Sequence, residues 1–280
     1  MTSSAKRPAP LLVPHEAPLW GATLLRRRDR FLADARLDNG EEVVAHCVNP
    51  GAMEGLVVPG SRIWLLPAPP HNKKRKLRWT WELSEDEDGL LIGANTGRPN
   101  QLVAAALEAR WLSPFRRWTE LQSERKYGER SRIDFWMKLR GREHFLEVKN
   151  CHLVYPDRCG YFPDSVSARA AKHLEELSLV SERGDDASVL FIVQRGDARR
   201  VRPSALHDPT FFEAARAASK AGVRFFALRV QPRLDGYLLE RRIPVDLEAY
   251  DTSEHLKWRE TRRLTSGWQR SPRKNKKEKK

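Results

Sequence analysis

The sequence predicts an α+β and α/β architecture in which a small N-terminal β-barrel precedes an α/β domain built on a mixed sheet. Three observations predict it. Short strand-like runs fill the first part of the chain, an acidic turn follows at residues 84–89, and helix-period segments then alternate with apolar strands. Because the chain has 280 residues and 40% hydrophobic side chains, it can bury a core in each part.

The predicted barrel occupies residues 19–84 and follows a Pro-rich arm, residues 1–18, which we expect to be flexible. Its strand-like runs are ATLLRRRDRFLADARL, EEVVAHCV, SRIWLLP and TWELS. Turn-forming residues separate them, as in DNG at 38–40 and PG at 59–60. This spacing favours a five-stranded barrel of the OB type, with a β-sandwich as the alternative.

The predicted second domain spans residues 90–250. Its first helix, NQLVAAALEARWL, begins at Pro99, whose fixed φ suits a first helical turn. The runs SRIDFWMKL and HFLEVKNC are strand-like, and Gly141 between them predicts a hairpin.

Two more helices and two more strands complete this domain. The segment DSVSARAAKHLEELSLV predicts an amphipathic helix with Asp164 or Ser165 as its N-cap, and PTFFEAARAASKAG predicts a helix that Gly222 ends. The runs ASVLFIVQR and VRFFALRV are typical of buried strands. Together these segments indicate a mixed sheet flanked by helices.

The charge of the chain indicates a polyanionic partner. The formal net charge is +14 and the pI is near 10.0, which suits nucleic acid or an anionic membrane surface better than a small neutral metabolite. Residues 252–280 hold eleven Lys/Arg and three Asp/Glu, so more than half of the excess lies there. We interpret residues 251–280 as a disordered basic tail that either contacts phosphates or only increases solubility.

The compartment is predicted to be reducing and cytoplasmic. The three cysteines, Cys47, Cys151 and Cys159, are an odd number, and residues 1–18 do not have the layout of a secretion signal. No run approaches the roughly 18 apolar residues of a membrane span. Cys151, His152 and Cys159 lie close in sequence, but they do not have the paired spacing of a structural zinc site.

The run FLEVKN carries the most informative pattern in the chain. Period-two alternation places Phe145, Glu147 and Lys149 on one face of a strand. If the hairpin pairs this strand with SRIDF, Asp134 reaches the same place. Two carboxylates and a lysine suit Mg²⁺ or Mn²⁺ and a phosphate substrate, so we predict Asp134 and Glu147 as metal ligands. A solvated Glu147–Lys149 ion pair and a turn-capping Asp134 are the alternatives.

Other polar residues are candidates for contacts around this cluster. Glu124 can fold back from a helix end as a further ligand, and Gln194 can orient a nucleophile or a phosphate. The candidates for nucleic-acid contacts on the next helix are Arg169, Lys172 and His173, and those in a basic barrel loop are Lys73, Lys74, Arg75 and Lys76. Solvent exposure is the alternative for Glu124, Arg169 and Lys172, and packing is the alternative for His173. Trp64, Trp79 and Trp81 near this loop suggest single-strand stacking, although a core role competes with it.

These motifs, taken in order, resemble the sugar fermentation stimulation protein family, within the PD-(D/E)XK nuclease superfamily. The resemblance runs over most of residues 31–247 and includes RFLADARLDNGEEVVAHCVNPGAMEGL, KRKLRWTWEL, NTGRPNQLV, SRIDF, EVKN, FPDSVSARAAKHLEEL and FIVQR. So long an ordered series is far more specific than Glu-x-Lys alone. The family's usual NTGSM bend is here Asn49-Pro50-Gly51-Ala52-Met53, so two hydroxyl residues are replaced.

The resemblance implies an OB-like barrel, a restriction-endonuclease-like second domain and DNA binding with little sequence preference, mainly through the backbone. It also implies a regulatory connection to sugar (maltose) metabolism. Carried over to this chain, the superfamily motif makes Asp134 and Glu147 metal ligands, Lys149 the catalytic lysine and Glu124 the helix acid.

Three functions follow as hypotheses. The first is a DNA-binding protein that retains a metal-dependent nuclease site, and the second is a DNA-binding regulatory protein that keeps the fold without cleavage. The third is a single-stranded nucleic-acid or RNA-binding module that uses the barrel. The sequence favours DNA binding over catalysis.

Overall fold

The computed structural model describes residues 8–70, 75–127, 131–262 and 267–270. The strands are β1 Leu11–Pro14, β2 Trp20–Arg28, β3 Leu32–Leu37, β4 Glu42–His46, β5 Arg62–Pro67, β6 Trp79–Glu85, β7 Leu91–Gly93, β8 Trp118–Tyr127, β9 Ser131–Leu139, β10 Arg142–Cys151, β11 Leu153–Val154, β12 Cys159–Phe162, β13 Asp186–Val193, β14 Arg200–Pro203, β15 Arg224–Arg233 and β16 Gly236–Ile243. The helices are α1 Arg98–Glu108, α2 Ala168–Glu182, α3 Pro209–Lys220 and α4 Ser253–Arg262.

The N-terminal domain is a closed barrel of the OB type, as predicted. Its strands follow the order β4-β3-β2-β5-β6-β7, and a parallel pairing of β4 with β6 at Ala45 and Trp79 closes it. Trp81 fills the interior and is fully buried. Strand β7 pairs with β6 beyond the acidic turn, so the barrel sheet continues past residue 84.

The second domain contains a seven-stranded mixed sheet in the order β1-β16-β15-β13-β10-β9-β8. Strands β10, β13 and β15 are parallel to one another, and the outer strands pair antiparallel. Apolar residues of α1 pack on one face of the sheet, and those of α2 and α3 pack on the other. The mixed α/β domain is therefore confirmed, and β11, β12 and β14 form a small separate sheet beside it.

Most of the predicted local features are confirmed. Pro99 lies in the first turn of α1, the β9–β10 hairpin turns at Gly141 with a φ of 81°, and Gly222 follows α3 with a φ of 100°. The predicted N-cap of α2 is wrong. Ser167 caps this helix, because the Asp164 carboxylate instead accepts a hydrogen bond from a backbone N–H of the barrel.

Both terminal segments contain structure that the sequence did not predict. Residues 11–14 of the arm, predicted to be flexible, form β1 and pair with β16, since Leu11 and Val13 pack against the core while Leu12 faces solvent. Within the predicted basic tail, α4 is ordered because Trp258 packs on an aromatic cluster. Residues 271–280 lie outside the described residues.

Buried polar contacts join the two domains. Glu82 on barrel strand β6 is fully buried and accepts hydrogen bonds from Arg98 Nε at 2.5 Å, Asn95 Nδ2 at 2.8 Å and the Tyr237 hydroxyl at 2.9 Å. Arg98 belongs to α1 and Tyr237 to β16, so this one carboxylate connects the barrel to the α/β domain.

Among the described residues, no helix is long and apolar enough to cross a membrane. Cys47, Cys151 and Cys159 are buried and free of disulfides.

Candidate active site

The candidate site forms where the β9–β10 hairpin opens. The paired register ends at Phe135 and Leu146, and beyond this point the Asp134 carboxylate takes the place of a ladder partner. Its Oδ2 accepts the Val148 N–H at 2.7 Å, and its Oδ1 accepts Asn100 Nδ2 of α1 at 2.8 Å. The separation of the two strands therefore leaves a buried carboxylate beside the second half of β10.

Glu147 lies on the face of β10 that the alternation predicted, together with Phe145 and Lys149. Its Oε1 is 2.6 Å from Lys149 Nζ and 2.5 Å from His173 Nδ1. Its Oε2 is buried and has no hydrogen-bond partner. One oxygen of the carboxylate is thus fixed by two cationic or donor groups, and the other is free to accept a ligand.

The two carboxylates have opposite pKa shifts. Burial and then the charge of Glu147 raise the pKa of Asp134 to about 6. Burial alone would raise the pKa of Glu147, but Lys149 and His173 outweigh it and lower that pKa. Glu147 is therefore the more readily ionised carboxylate of the pair, and a bound cation would favour the ionised form of Asp134.

Three side chains that the sequence analysis missed also belong to this site. They are Asn100, which holds Asp134, and the pair Tyr127 and Glu176. Burial and then the charges of Glu147 and Glu176 raise the pKa of Tyr127, and Glu176 accepts the Ser131 hydroxyl at 2.8 Å. The i, i+3 spacing of His173 and Glu176 on α2 was the one available signal, because it places both on one helical face.

The predicted nucleic-acid contacts on α2 divide into two kinds. Arg169 and Lys172 are exposed, as a phosphate contact requires. His173 is buried and positions Glu147, while Arg169 Nε lies 3.4 Å from its other ring nitrogen. His173 is therefore a residue of the carboxylate site and not of the helix surface.

Glu124 does not lie at a helix end, so this part of its prediction is wrong. It is exposed on strand β8 and has a φ of 53°. The physical reason is that residues 118–127 pair along β9 and cannot form a helix. The helical residue that contacts Asp134 is Asn100, and a ligand role for Glu124 stays a prediction.

The remaining predicted contact residues have different surroundings. Gln194 is fully buried and donates to Asn150 Oδ1 at 2.5 Å and to a backbone carbonyl at 3.3 Å. In the basic loop, Lys76 is exposed and Arg75 donates to the Thr80 hydroxyl. Lys73 and Lys74 lie outside the described residues.

The donor set fits a hard divalent cation. Asp134 and Glu147 offer carboxylate oxygens, and the unpartnered Glu147 Oε2 is the atom that a bound ion would satisfy. Within the described ranges, no group of three or more His, Cys, Asp or Glu gathers as a complete protein cage. Two carboxylates with water and substrate oxygens are the usual arrangement for Mg²⁺.

The raised pKa of Asp134 predicts a specific pH dependence of stability in the absence of divalent cations. Because the folded protein holds this proton more tightly than the unfolded chain, the contribution of Asp134 to stability is present below its ordinary pKa and is lost as the pH rises toward 6. We expect the stability of the wild type relative to Asp134→Asn to fall over this interval. Urea unfolding of both proteins between pH 4 and pH 7 measures the difference, and a pH-independent difference would contradict the prediction.

Two family models cover this architecture. Residues 25–93 match the SfsA N-terminal OB domain, and residues 97–236 match the Sugar fermentation stimulation protein RE domain. A Sugar fermentation stimulation protein homolog of Thioalkalivibrio sulfidiphilus is 44% identical over 233 residues, which are 83% of this chain and 97% of the relative. The chain belongs to the sugar fermentation stimulation protein family. A second family member, from Teredinibacter turnerae, is 46% identical over 216 residues, which are 76% of this chain and 91% of that relative.

The fold of this family member also matches a solved structure. The structure of Pyrococcus furiosus SfsA in complex with Ca²⁺ superposes with a TM-score of 0.75 and covers 84% of this chain and 98% of the other. Sequence identity is 24%, so the match supports the two-domain fold alone.

Proposed function

We propose that this protein binds DNA mainly through its phosphate backbone and slowly hydrolyses phosphodiester bonds with Mg²⁺ or Mn²⁺ at Asp134, Glu147 and Lys149. One observation carries the catalytic part. A buried Glu147 oxygen has no partner beside an Asp134 carboxylate whose pKa is raised to about 6. Leaving a buried carboxylate oxygen unpaired costs free energy, and a cation with a phosphate would remove that cost.

The residues of the site have separable roles in this proposal. Asp134 and Glu147 would hold the ion, which supplies charge neutralisation at the phosphoryl oxygens when bound. Lys149 would direct its ammonium toward the phosphate or the attacking water. Its ion pair with Glu147 holds it beside the carboxylates, with only 11% of its side chain exposed. Asn100 and His173 are positioning residues that hold the two carboxylates.

The reaction consumes one water molecule for each bond. The water oxygen bonds to phosphorus, the bond from phosphorus to the leaving oxygen breaks, and the proton of the water ends on that leaving oxygen. The products are a phosphomonoester end and a free hydroxyl end.

The positive charge of the chain supports the binding part of the proposal. Residues 271–280 contain six Lys/Arg and one Glu, and the rest of the chain is also net positive. Such charge binds phosphates by releasing counterions and does not read sequence.

Truncation after Arg270 is predicted to weaken DNA binding and to flatten its salt dependence. Each phosphate contact contributes about 0.9 to the slope of log K against log[salt], so losing several lysines should reduce the magnitude of the slope by more than about 1. Fluorescence anisotropy with a duplex at several salt concentrations measures it. A slope identical to that of the full chain would show that the tail makes no phosphate contact.

The second candidate is a DNA-binding regulatory protein of sugar metabolism that does not cleave. The Lys149–Glu147 ion pair favours this candidate. The 2.6 Å hydrogen bond from Lys149 to Glu147 Oε1 gives the lysine a structural role that needs no catalysis. The single-strand stacking candidate has less support, since Trp81 is core and the Trp64 indole donates to Glu85.

A further inference from the structure

A pocket of about 270 Å³ lies in the seam between the barrel and the α/β domain. One wall is the barrel loop at residues 49–51 with Arg30, and the other is the segment 162–167 that leads into α2. Asn150 and His152, which follow Lys149 on and just after β10, form its floor. The pocket therefore lies at the carboxyl end of a parallel strand and at the N-terminus of a helix, where α/β proteins commonly bind ligands.

The barrel wall of this pocket is held rigidly. The Arg27 guanidinium is buried and donates to the Asn49 carbonyl at 2.7 Å and to the Gly51 carbonyl at 3.0 Å. From the other domain, Asp164 Oδ2 accepts the Met53 N–H at 2.8 Å. A Cβ on Gly51 would lie 2.3 Å from the Asp164 carboxylate, so only glycine fits this close approach. The loop is thus preorganised from both sides.

Two buried nitrogen donors in the pocket lining make no hydrogen bond to any described residue. Asn49 is 1% exposed, and because its Oδ1 accepts the Gly51 N–H at 2.9 Å, its unpartnered Nδ2 is a free donor. His152 is 4% exposed, and its Nδ1 lies 3.3 Å from Asn150 Nδ2, so Nδ1 accepts and Nε2 carries the hydrogen. Nε2 makes no hydrogen bond but lies 3.4 Å from Asp164 Oδ2. Both residues line the pocket, and both nitrogens are buried.

The charge around the pocket favours an anion. Arg30 is exposed at the rim, and the Arg27 guanidinium behind the loop donates to the backbone carbonyls of residues 30, 49, 51, 52 and 267. The one carboxylate in the lining is Asp164. Burial alone would raise its pKa, but His152 and the Met53 N–H outweigh burial and lower it to about 2. Asp164 is therefore ionised, and its negative charge is already partly compensated by His152 and the Met53 N–H.

We propose that this pocket binds a phosphate group, through Arg30, Asn49, His152 and the N-terminus of α2. The inference rests on the proposed function, because we assign this phosphate to a bound DNA strand. The next phosphodiester bond of that strand would then lie at Glu147 and Lys149. Asn150 links the two places, since it follows Lys149 directly and contacts both Gln194 and His152. Binding of this phosphate would fix the position of the DNA strand relative to the carboxylates of the active site.

The first test compares Arg30→Gln with Arg142→Gln in the full-length protein. Both changes remove one exposed arginine charge, but Arg142 lies at the opposite end of β10. With a 12-base-pair duplex, Arg30→Gln is expected to lower affinity and to reduce the salt slope by about 1, whereas Arg142→Gln leaves the slope unchanged. Equal salt slopes for the two variants would contradict phosphate binding in the pocket but would leave the proposal of DNA binding intact.

The second test separates DNA phosphate from free phosphate. The ring nitrogens of His152 are followed by NMR while duplex DNA or inorganic phosphate is added to the wild type. A shift of the Nε2 resonance with DNA, weakened by Arg30→Gln, supports the proposal. A shift with inorganic phosphate alone would contradict the assignment of the bound phosphate to a DNA strand. No shift with either ligand would contradict anion binding in the pocket. If the wild type binds no DNA at all, the proposed function fails, and the phosphate titration still decides whether the pocket binds an anion.

Discussion

Replacing Glu147 by Gln is expected to reduce Mg²⁺- or Mn²⁺-dependent DNA cleavage by at least ~10²–10³-fold, with little loss of DNA affinity. Gln keeps the shape of the side chain and an oxygen that accepts from Lys149. It removes the negative charge that would attract the cation to the unpartnered Oε2. Asp134→Asn should have the same effect, because it removes the second carboxylate. Initial rates on a labelled duplex measure cleavage, and anisotropy without divalent cations measures binding.

A matched control distinguishes this effect from a general change in charge. Glu120→Gln removes one carboxylate on β8 whose side chain is 55% exposed and pairs with Lys138. Its rate should equal that of the wild type. Cleavage that survives both Glu147→Gln and Asp134→Asn comes from another enzyme and excludes the site. A pure wild-type protein that binds DNA but cleaves none with either metal supports the regulatory candidate.

Replacing Arg98 by Met is expected to lower the free energy of unfolding by about 3–5 kcal/mol. The change leaves the Glu82 carboxylate buried without its cation, although Asn95 and Tyr237 still donate to it. Removing one partner of a buried ion pair costs far more than the pair itself contributes, because the remaining charge is not solvated. Urea unfolding monitored by tryptophan fluorescence measures the change.

Two further variants test this explanation. Arg36→Met breaks an ion pair with Glu42 in which both side chains are more than half exposed, so it should cost less than about 1 kcal/mol. Adding Glu82→Leu to Arg98→Met removes the uncompensated charge and should restore part of the lost stability. A loss below about 1 kcal/mol for Arg98→Met would show that Glu82 does not hold the domains together.

The local patterns of the sequence were sufficient for the secondary structure near the site. Alternation in FLEVKN placed Glu147 and Lys149 on one strand face, and Gly141 placed the hairpin turn, because side-chain direction and positive φ are properties of a few neighbouring residues. Periodicity also gave the order of helices α1, α2 and α3 and of strands β9, β10, β13 and β15, whereas strands β8 and β16 were not predicted.

The errors arose where a contact outside the local pattern decided the outcome. Asp164 has a good N-cap residue type, but Met53 of the barrel uses its carboxylate, and Ser167 caps α2 instead. Glu124 lies in a polar stretch with no strand alternation, yet pairing with β9 makes it part of a strand. Met53 is 111 residues from Asp164 in sequence, so no local pattern could reveal that contact. Strand β9 follows β8 closely, and the polar sequence of residues 118–127 concealed the pairing.

The sequence by itself determined the two domains, the hairpin and the presence of two acids and a lysine beside a strand. Only the tertiary structure decided that Asn100 and His173 hold those acids, that one Glu147 oxygen is left without a partner, and that a pocket lies in the seam between the domains. The physical reason is that period and turn geometry are encoded within a few residues, whereas burial, pKa and the partners of a polar atom depend on groups brought together by folding.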